Sequence, residues 1–279
     1  MSSNVLEKAM SAEILDQSWR RLKSEHTPWS ATVPRDELER HLLQHLFSLR
    51  DAVLNETYRP QALRQFPMKK PDGSRRIITA QYLADKVIQR ALLIILEPKA
   101  ESLFDDNSYA YRPRRSVDMA LKKVAEHTQC GRGWLVDADI EKFFDNISHR
   151  LLLKKLTPFI NDPKAMRLIN AWLKQGAHHK SLLGQRQGIA QGAILSPLMC
   201  NLFLDSFDKS LNRANIPFVR FADDFLLFTD SQKNAQAARE YAKKQLDKLA
   251  LSLHPKKTRV VKSSPKVIFL GQKLNWAAQ

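Results

Sequence analysis

The segment Phe221-Ala222-Asp223-Asp224-Phe225-Leu226-Leu227-Phe228 sets two adjacent carboxylates inside an apolar run. Desolvating such a pair is costly unless a cation, a partner or water compensates it. Phe218 to Thr229 reads as two short apolar runs hinged on Asp223-Asp224, so a turn between strands presents both acids to one spot. Alone, the two acids also fit a solvated hairpin tip. A second acidic strand end changes the balance: Trp134-Leu135-Val136-Asp137-Ala138-Asp139-Ile140 is a buried-strand pattern that closes on carboxylates. Three acids converging from two strand ends can bind hard, oxygen-preferring Mg2+ ions. Two such ions, about 3.5–4 Å apart, stabilise the attacking and leaving oxygens of an in-line phosphoryl transfer. Strand alternation puts Asp137 on the same face as Asp139 but deeper, and Asp145 belongs to the following turn, so neither is the expected ligand.

Around these strands the chain reads as a mixture of helices and strands. Glu7 to Lys23 and Arg35 to Val53 have helical spacing of apolar residues, the second through Leu38, Leu42, Leu43, Leu46, Phe47 and Leu49. Two extended segments between Tyr58 and Thr79 flank Pro71-Asp72-Gly73, a turn signal that predicts a hairpin. Helices are expected over Gln81 to Leu96, over Ser116 to His127 with Ser116 as N-cap, and over Ser148–Leu156 and Lys164–Lys174. Ser196 to Leu211 opens with Ser-Pro, and Asn234 to Leu249 is amphipathic; Thr258–Val261 and Lys266–Leu270 read as short strands. There is no internal repeat and no low-complexity linker.

The charge points to a polyanionic partner. With 45 Lys+Arg against 29 Asp+Glu, the net charge of +16 is spread along 279 residues, in pairs such as Arg20–Arg21, Lys122–Lys123, Lys154–Lys155 and Lys256–Lys257. That spread suits a long groove for nucleic acid, whose neutralised phosphates release counterions; a membrane-surface protein more often concentrates charge on one amphipathic helix. No apolar run reaches the roughly 18 residues of a spanning helix, and the first residues carry no leader pattern. Cys130 and Cys200 make neither a disulfide framework nor a zinc site. The expectation is a soluble protein of the bacterial cytoplasm without membrane association. His178-His179 has no recognisable third ligand and reads as solvated.

The ordered motifs resemble group II intron-like bacterial reverse transcriptases. Val136-Asp137-Ala138-Asp139-Ile140 followed by Phe143-Phe144-Asp145-Asn146-Ile147 and His149 is similar to the family's first catalytic block. Gln191-Gly192-Ala193-Ile194-Leu195-Ser196-Pro197 with Asn201 resembles its Gln-Gly-x-x-x-Ser-Pro block, and Phe221-Ala222-Asp223-Asp224 its Tyr/Phe-Ala-Asp-Asp box. Lys257-Thr258, Phe269-Leu270-Gly271, and the upstream stretches Lys69 to Arg76 and Ser108 to Ser116 complete the set over residues 58–271. Departures are Ala190 in place of a common Pro, Tyr109-Ala110-Tyr111 in place of Tyr-Gly-Phe, and an unusual Ile77 to Tyr82 stretch.

The resemblance implies a right-hand polymerase of the α+β class, with an antiparallel palm sheet backed by helices. Fingers are expected at 58–130, palm at 131–279 and a helical N-terminal extension at 1–57. Only eight residues follow Gly271, too few for a helical thumb, so a further C-terminal region or a thumb-supplying partner is expected, unless the N-terminal helices take that place. The implied activity is RNA-directed DNA synthesis: a DNA or RNA primer is extended with dNTPs on an RNA template, under two Mg2+ ions for which Mn2+ can substitute. Asp139, Asp223 and Asp224 are the implied catalytic and metal-binding acids, with the carbonyl of Ile140 also facing a metal. Lys257 is implied in catalysis beside the leaving pyrophosphate. Lys69, Arg75, Arg76, Phe144 and Gln191 are implied at the dNTP, Phe144 as the steric gate against a 2′-hydroxyl, and Arg112 and Arg115 at nucleic acid.

Two rivals stand beside this reading: a nucleic-acid-binding scaffold or splicing factor that needs no catalysis, and a palm polymerase with another template or sugar preference. Among biological roles, the Gln-Gly-x-x-x-Ser-Pro form argues against diversity generation, and the lack of Val-Thr-Gly after the acids argues against a retron. A role in CRISPR adaptation or phage defence, with a CRISPR adaptation protein as partner, is the working expectation.

Overall fold

In the computed structural model, residues 4–69, 73, 75–176, 179–180 and 186–274 are described. Helices α1 (Val5–Ala9), α2 (Ala12–Arg20), α3 (Arg35–Arg40) and α4 (Leu42–Leu54) precede a hairpin of β1 (Arg64–Lys69) and β2 (Arg75–Ala80). Then come α5 (Leu83–Glu101), α6 (Val117–Gln129), β3 (Trp134–Asp139), α7 (Phe143–Asn146), α8 (His149–Ile160) and α9 (Pro163–Gly176). After the short β4 (His179–Lys180) and β5 (Arg186–Gln187), α10 (Ser196–Arg213) leads into β6 (Phe218–Phe221) and β7 (Asp224–Thr229). Helix α11 (Gln232–Asp247), β8 (Arg259–Lys262), β9 (Ile268–Phe269) and β10 (Gln272–Lys273) close the chain. Among the described residues no helix is long and apolar enough to cross a membrane.

Several boundaries differ from the sequence reading for local reasons. The expected helix over Glu7 to Lys23 is broken at Ser11, whose hydroxyl accepts from the Ile14 amide at 3.3 Å and starts a second helix. The one over Arg35 to Val53 is interrupted at His41, whose backbone (φ −127°, ψ 32°) leaves the helical region. Helices α5 and α8 run past Pro98 and Pro158, further than expected. The Pro71-Asp72 half of the predicted turn lies outside the described residues, as does His178; the hairpin itself forms, with Lys69 opposite Arg75.

The chain forms two compact units, each assembled from two separate stretches. Residues 1–102 and 149–199 form the first. Its core holds an acid: Asp85 on α5, 1% exposed, accepts from Trp172 Nε1 at 2.6 Å and from the Gln61 amide at 3.1 Å. Burial raises the Asp85 pKa, and these donors partly offset the shift.

Residues 103–148 and 200–279 form the second unit, around an antiparallel sheet in the order β6-β7-β3-β8. The central strand β3 is apolar because neighbours cover it: Leu135, Val136 and Ala138 are 3% exposed or less. Leu135 sits opposite Phe228 and shares one cluster with Leu226, Val219 and the α6 residues Ala120 and Val124. Helix α11 packs its buried Ala235, Ala238, Ala242 and Leu246 on the sheet. The segment expected as a strand from Lys266 to Leu270 instead forms the small β9–β10 hairpin, with Phe269 in the cluster.

Candidate active site

Antiparallel register brings the acids together. Asp139, the last residue of β3, stands directly opposite Asp224, the first of β7, and like charges so placed repel. Asp223 occupies the loop between β6 and β7, where Phe221 pairs with Asp224, so only Ala222 and Asp223 make the turn. The Ile140 amide donates to the Asp223 carbonyl at 3.2 Å, tying this turn to the end of β3. Ala222 has φ +59°, at the first central position that glycine normally fills in such a turn; for alanine this costs about 1–2 kcal/mol. One of the chain's strained left-handed residues thus adjoins the acids directly.

Lys257 reaches the same place from a turn before β8. Its amide donates to the His254 carbonyl at 3.3 Å, and the His254 amide donates to the Asp139 carbonyl at 2.8 Å. Lys257 Nζ donates to Asp139 Oδ2 at 2.7 Å, which raises the lysine pKa. Burial raises the Asp223 carboxyl, with a further push from Asp139. Asp224 goes furthest: burial, then the charges of Asp223 and Asp139, push it up to about 7. Its carboxyl also shares a hydrogen bond with Asp139, although one side of the residue stays open to solvent.

Among the described residues no group of three His, Cys, Asp or Glu side chains is in place to hold a metal ion. The donor set nevertheless fits one. Asp139, Asp223 and Asp224 offer only oxygens, and two of these acids are held away from their ordinary ionisation by burial and mutual repulsion, which a divalent cation would relieve. Asp137 is separately neutralised: Arg259, opposite it on β8, donates through Nε at 2.9 Å.

Of the other expected residues, Phe143 is buried and Phe144 half-buried, with rings 5.8 Å apart, so Phe143 is the core member of the pair. Ile140 is fully buried. Arg112 is 8% exposed, and its Nη1 donates to the carbonyls of Asp105 at 2.5 Å and Ser108 at 2.7 Å. These bonds brace its own loop. Arg115 is half-buried and paired with Asp106 at 2.5 Å.

Lys69, Arg75, Arg76 and Gln191 belong to the first unit. Lys69 is exposed on β1, and β2 carries Arg75 and Arg76. Gln191 follows Ala190, whose carbonyl accepts from Ser196 Oγ at 2.7 Å, while Gly188 accepts from His149 Nε2 at 2.6 Å. Gly176 allows this loop to pass closely, because a Cβ there would come within 2.9 Å of the Ala190 nitrogen.

Sequence reasoning overlooked Arg220 and Asp208, although an arginine within Phe218-Val219-Arg220-Phe221 signals a buried charge that requires a partner.

Comparison with known proteins gives the family and the fold. Residues 68–274 match the family described as reverse transcriptase (RNA-dependent DNA polymerase). The protein YkfC of Escherichia coli (strain K12) is 32% identical over 90% of this chain and 77% of its own length. The group II intron-encoded protein LtrA of Lactococcus lactis subsp. cremoris is 36% identical over 59% of this chain, but only 28% of that protein is covered. Among solved structures, a chain of a partial Cas6-RT-Cas1–Cas2 complex is 26% identical with a TM-score of 0.52, over 89% of this chain and 42% of that one. A Candida albicans telomerase structure, at 14% identity and a TM-score of 0.57, shares the fold.

Proposed function

The chain belongs to the reverse transcriptase family of RNA-dependent DNA polymerases, and from that premise we propose that Asp139, Asp223 and Asp224 form its catalytic centre for primer extension. The observation that carries this reading is the in-register opposition of Asp139 and Asp224 with Asp223 in the adjoining turn. These acids, with the Ile140 carbonyl, would hold two Mg2+ ions, for which Mn2+ can substitute. When bound, the ions lower the charge barrier between the primer 3′-hydroxyl and the α-phosphate of a dNTP. The new bond joins that hydroxyl oxygen to the α-phosphorus, and pyrophosphate leaves.

The remaining assignments give the protein's side chains binding and proton-handling roles. Lys257 holds a proton at Nζ beside Asp139 and can offer it, or its charge, to the departing pyrophosphate. Phe144 lies below the sugar and excludes a 2′-hydroxyl, Gln191 orients the nucleotide, and Lys69, Arg75 and Arg76 offset the triphosphate charge. Arg112 and Arg115 are candidates for nucleic acid. Base pairing to the RNA template selects the nucleotide, so the protein has only to read backbone and pair geometry.

We place the reaction in the bacterial cytoplasm, where free Cys130 and Cys200 suit reducing conditions. The Cas6-RT-Cas1–Cas2 likeness favours a CRISPR adaptation protein as partner, one that could also supply a grip on the duplex. The test is extension of a primer on a known RNA template with dNTPs and Mg2+, followed by sequencing of the product. The parent chain should copy the template and Asp223→Asn should not. Equal synthesis by both would refute the assignment, and RNA binding without synthesis by the parent would favour a scaffold.

A further inference from the structure

Arg220 is a charged residue in the middle of β6, yet it is 0% exposed. Its guanidinium is held on three sides. Nε and Nη2 donate to Asp208 Oδ1 and Oδ2 at 2.7 and 2.5 Å, a bidentate pair whose acid is itself 1% exposed. Nη1 donates to Asn201 Oδ1 at 3.2 Å and to the carbonyl of Ala222 at 2.9 Å. Asn201, 0% exposed, is fixed in turn by donating from Nδ2 to the Ala110 carbonyl at 2.9 Å. The Arg220 backbone is also pinned, its amide donating to Asn107 and its carbonyl accepting from Tyr109.

A buried ion pair of this kind gains little for stability over well-packed apolar residues, so stability alone does not explain it. An apolar side chain could fill the volume, but it could not hold the Ala222 carbonyl. That carbonyl belongs to the peptide joining Ala222, with its left-handed φ of +59°, to Asp223. Glycine would adopt this conformation unaided; alanine needs something to keep it there.

We propose that Arg220, locked by Asp208 and Asn201, is a positioning residue: by holding the Ala222 carbonyl it keeps the strained turn, and hence the Asp223 and Asp224 carboxylates, in the orientation that receives a divalent cation. The inference rests on reading these acids as the metal site. Arg220 touches no reacting atom. Its effect on catalysis passes through the turn.

The test measures Mn2+ binding to the whole chain by electron paramagnetic resonance of the free ion, with melting followed in parallel. Arg220→Lys keeps the charge but loses the fork, and should bind Mn2+ roughly tenfold more weakly, as is usual when a residue orienting metal ligands is changed. Adding Ala222→Gly to that variant should recover part of the affinity, because glycine takes the left-handed turn without the clamp. Val124→Ala, a core substitution in α6, serves as the destabilised control with parent affinity. If Arg220→Lys loses its cooperative melt, Asn201→Ala carries the test, since it leaves the Asp208 pair whole and should weaken binding in the same direction.

Parent-like Mn2+ affinity in the folded Arg220 or Asn201 variant would overturn the proposal, as would a loss that Ala222→Gly does not relieve. A separate arm checks the premise: if Asp223→Asn binds Mn2+ as the parent does, the acids are not the metal site and the proposal falls with them.

Discussion

Replacing Asp224 by Asn should stabilise the metal-free protein while removing one of its proposed metal ligands. Asp224 faces Asp139 across the sheet and adjoins Asp223, and burial with these neighbours raises its carboxyl from 3.8 to about 7. An acid raised in the fold favours folding in its protonated form. Its contribution is intact below about pH 4 and is lost as pH rises through about 7. At about 1.36 kcal/mol per pH unit, the full shift would correspond to about 4 kcal/mol. Because the residue is open to solvent on one side, water screens the repulsion and about 1 kcal/mol should survive. For a chain of this size that is a melting shift of about 2–4 °C. Calorimetry in chelator should therefore find D224N melting above the parent at pH 8, with the gap nearly closed near pH 4. Excess Mg2+ should reverse the order at pH 8, because only the parent retains the full set of acids to gain stability from binding. A D224N protein that melts below its parent in chelator at pH 8 would refute the repulsion argument.

Phe144→Ala should relax discrimination against ribonucleotides in primer extension, and unchanged discrimination in a folded variant would make the ring a packing residue. Trp172→Phe removes the Nε1 donor from the buried Asp85 and should lower stability by about 1–3 kcal/mol in urea unfolding. A loss below a few tenths of a kcal/mol would mean that Asp85 finds another donor.

The acid centre was legible because strand alternation and turn position depend on near neighbours: Asp139 at one strand end and Asp223-Asp224 at a hinge suffice to bring the carboxylates together. The N-cap at Ser116 was legible for the same reason, and its hydroxyl accepts from the Met119 amide at 3.2 Å. Interactions distant in sequence were not. Asp208 on α10 and Arg220 on β6 meet across twelve residues of chain, at no spacing that a helix or strand repeat would bring together. The break at Ser11 was missed because apolar spacing continues across it while the hydroxyl starts a new helix. Residues such as Lys69 and Gln191 have motif matches, but their roles depend on substrates that sequence patterning alone cannot position.

The interleaving of the two units also bears on how the protein is made. Asp85 leaves the ribosome long before Trp172, which lies 87 residues later and supplies its buried hydrogen bond. At roughly 5–20 residues per second, synthesis separates the two by on the order of 4–17 s. During that interval α5 has an acid on its inward face without the indole that will satisfy it, while the first stretch of the other unit, residues 103–148, is already emerging. The nascent helices must therefore wait, and a translational pause before Trp172 would prolong the time for which their apolar faces can meet other chains.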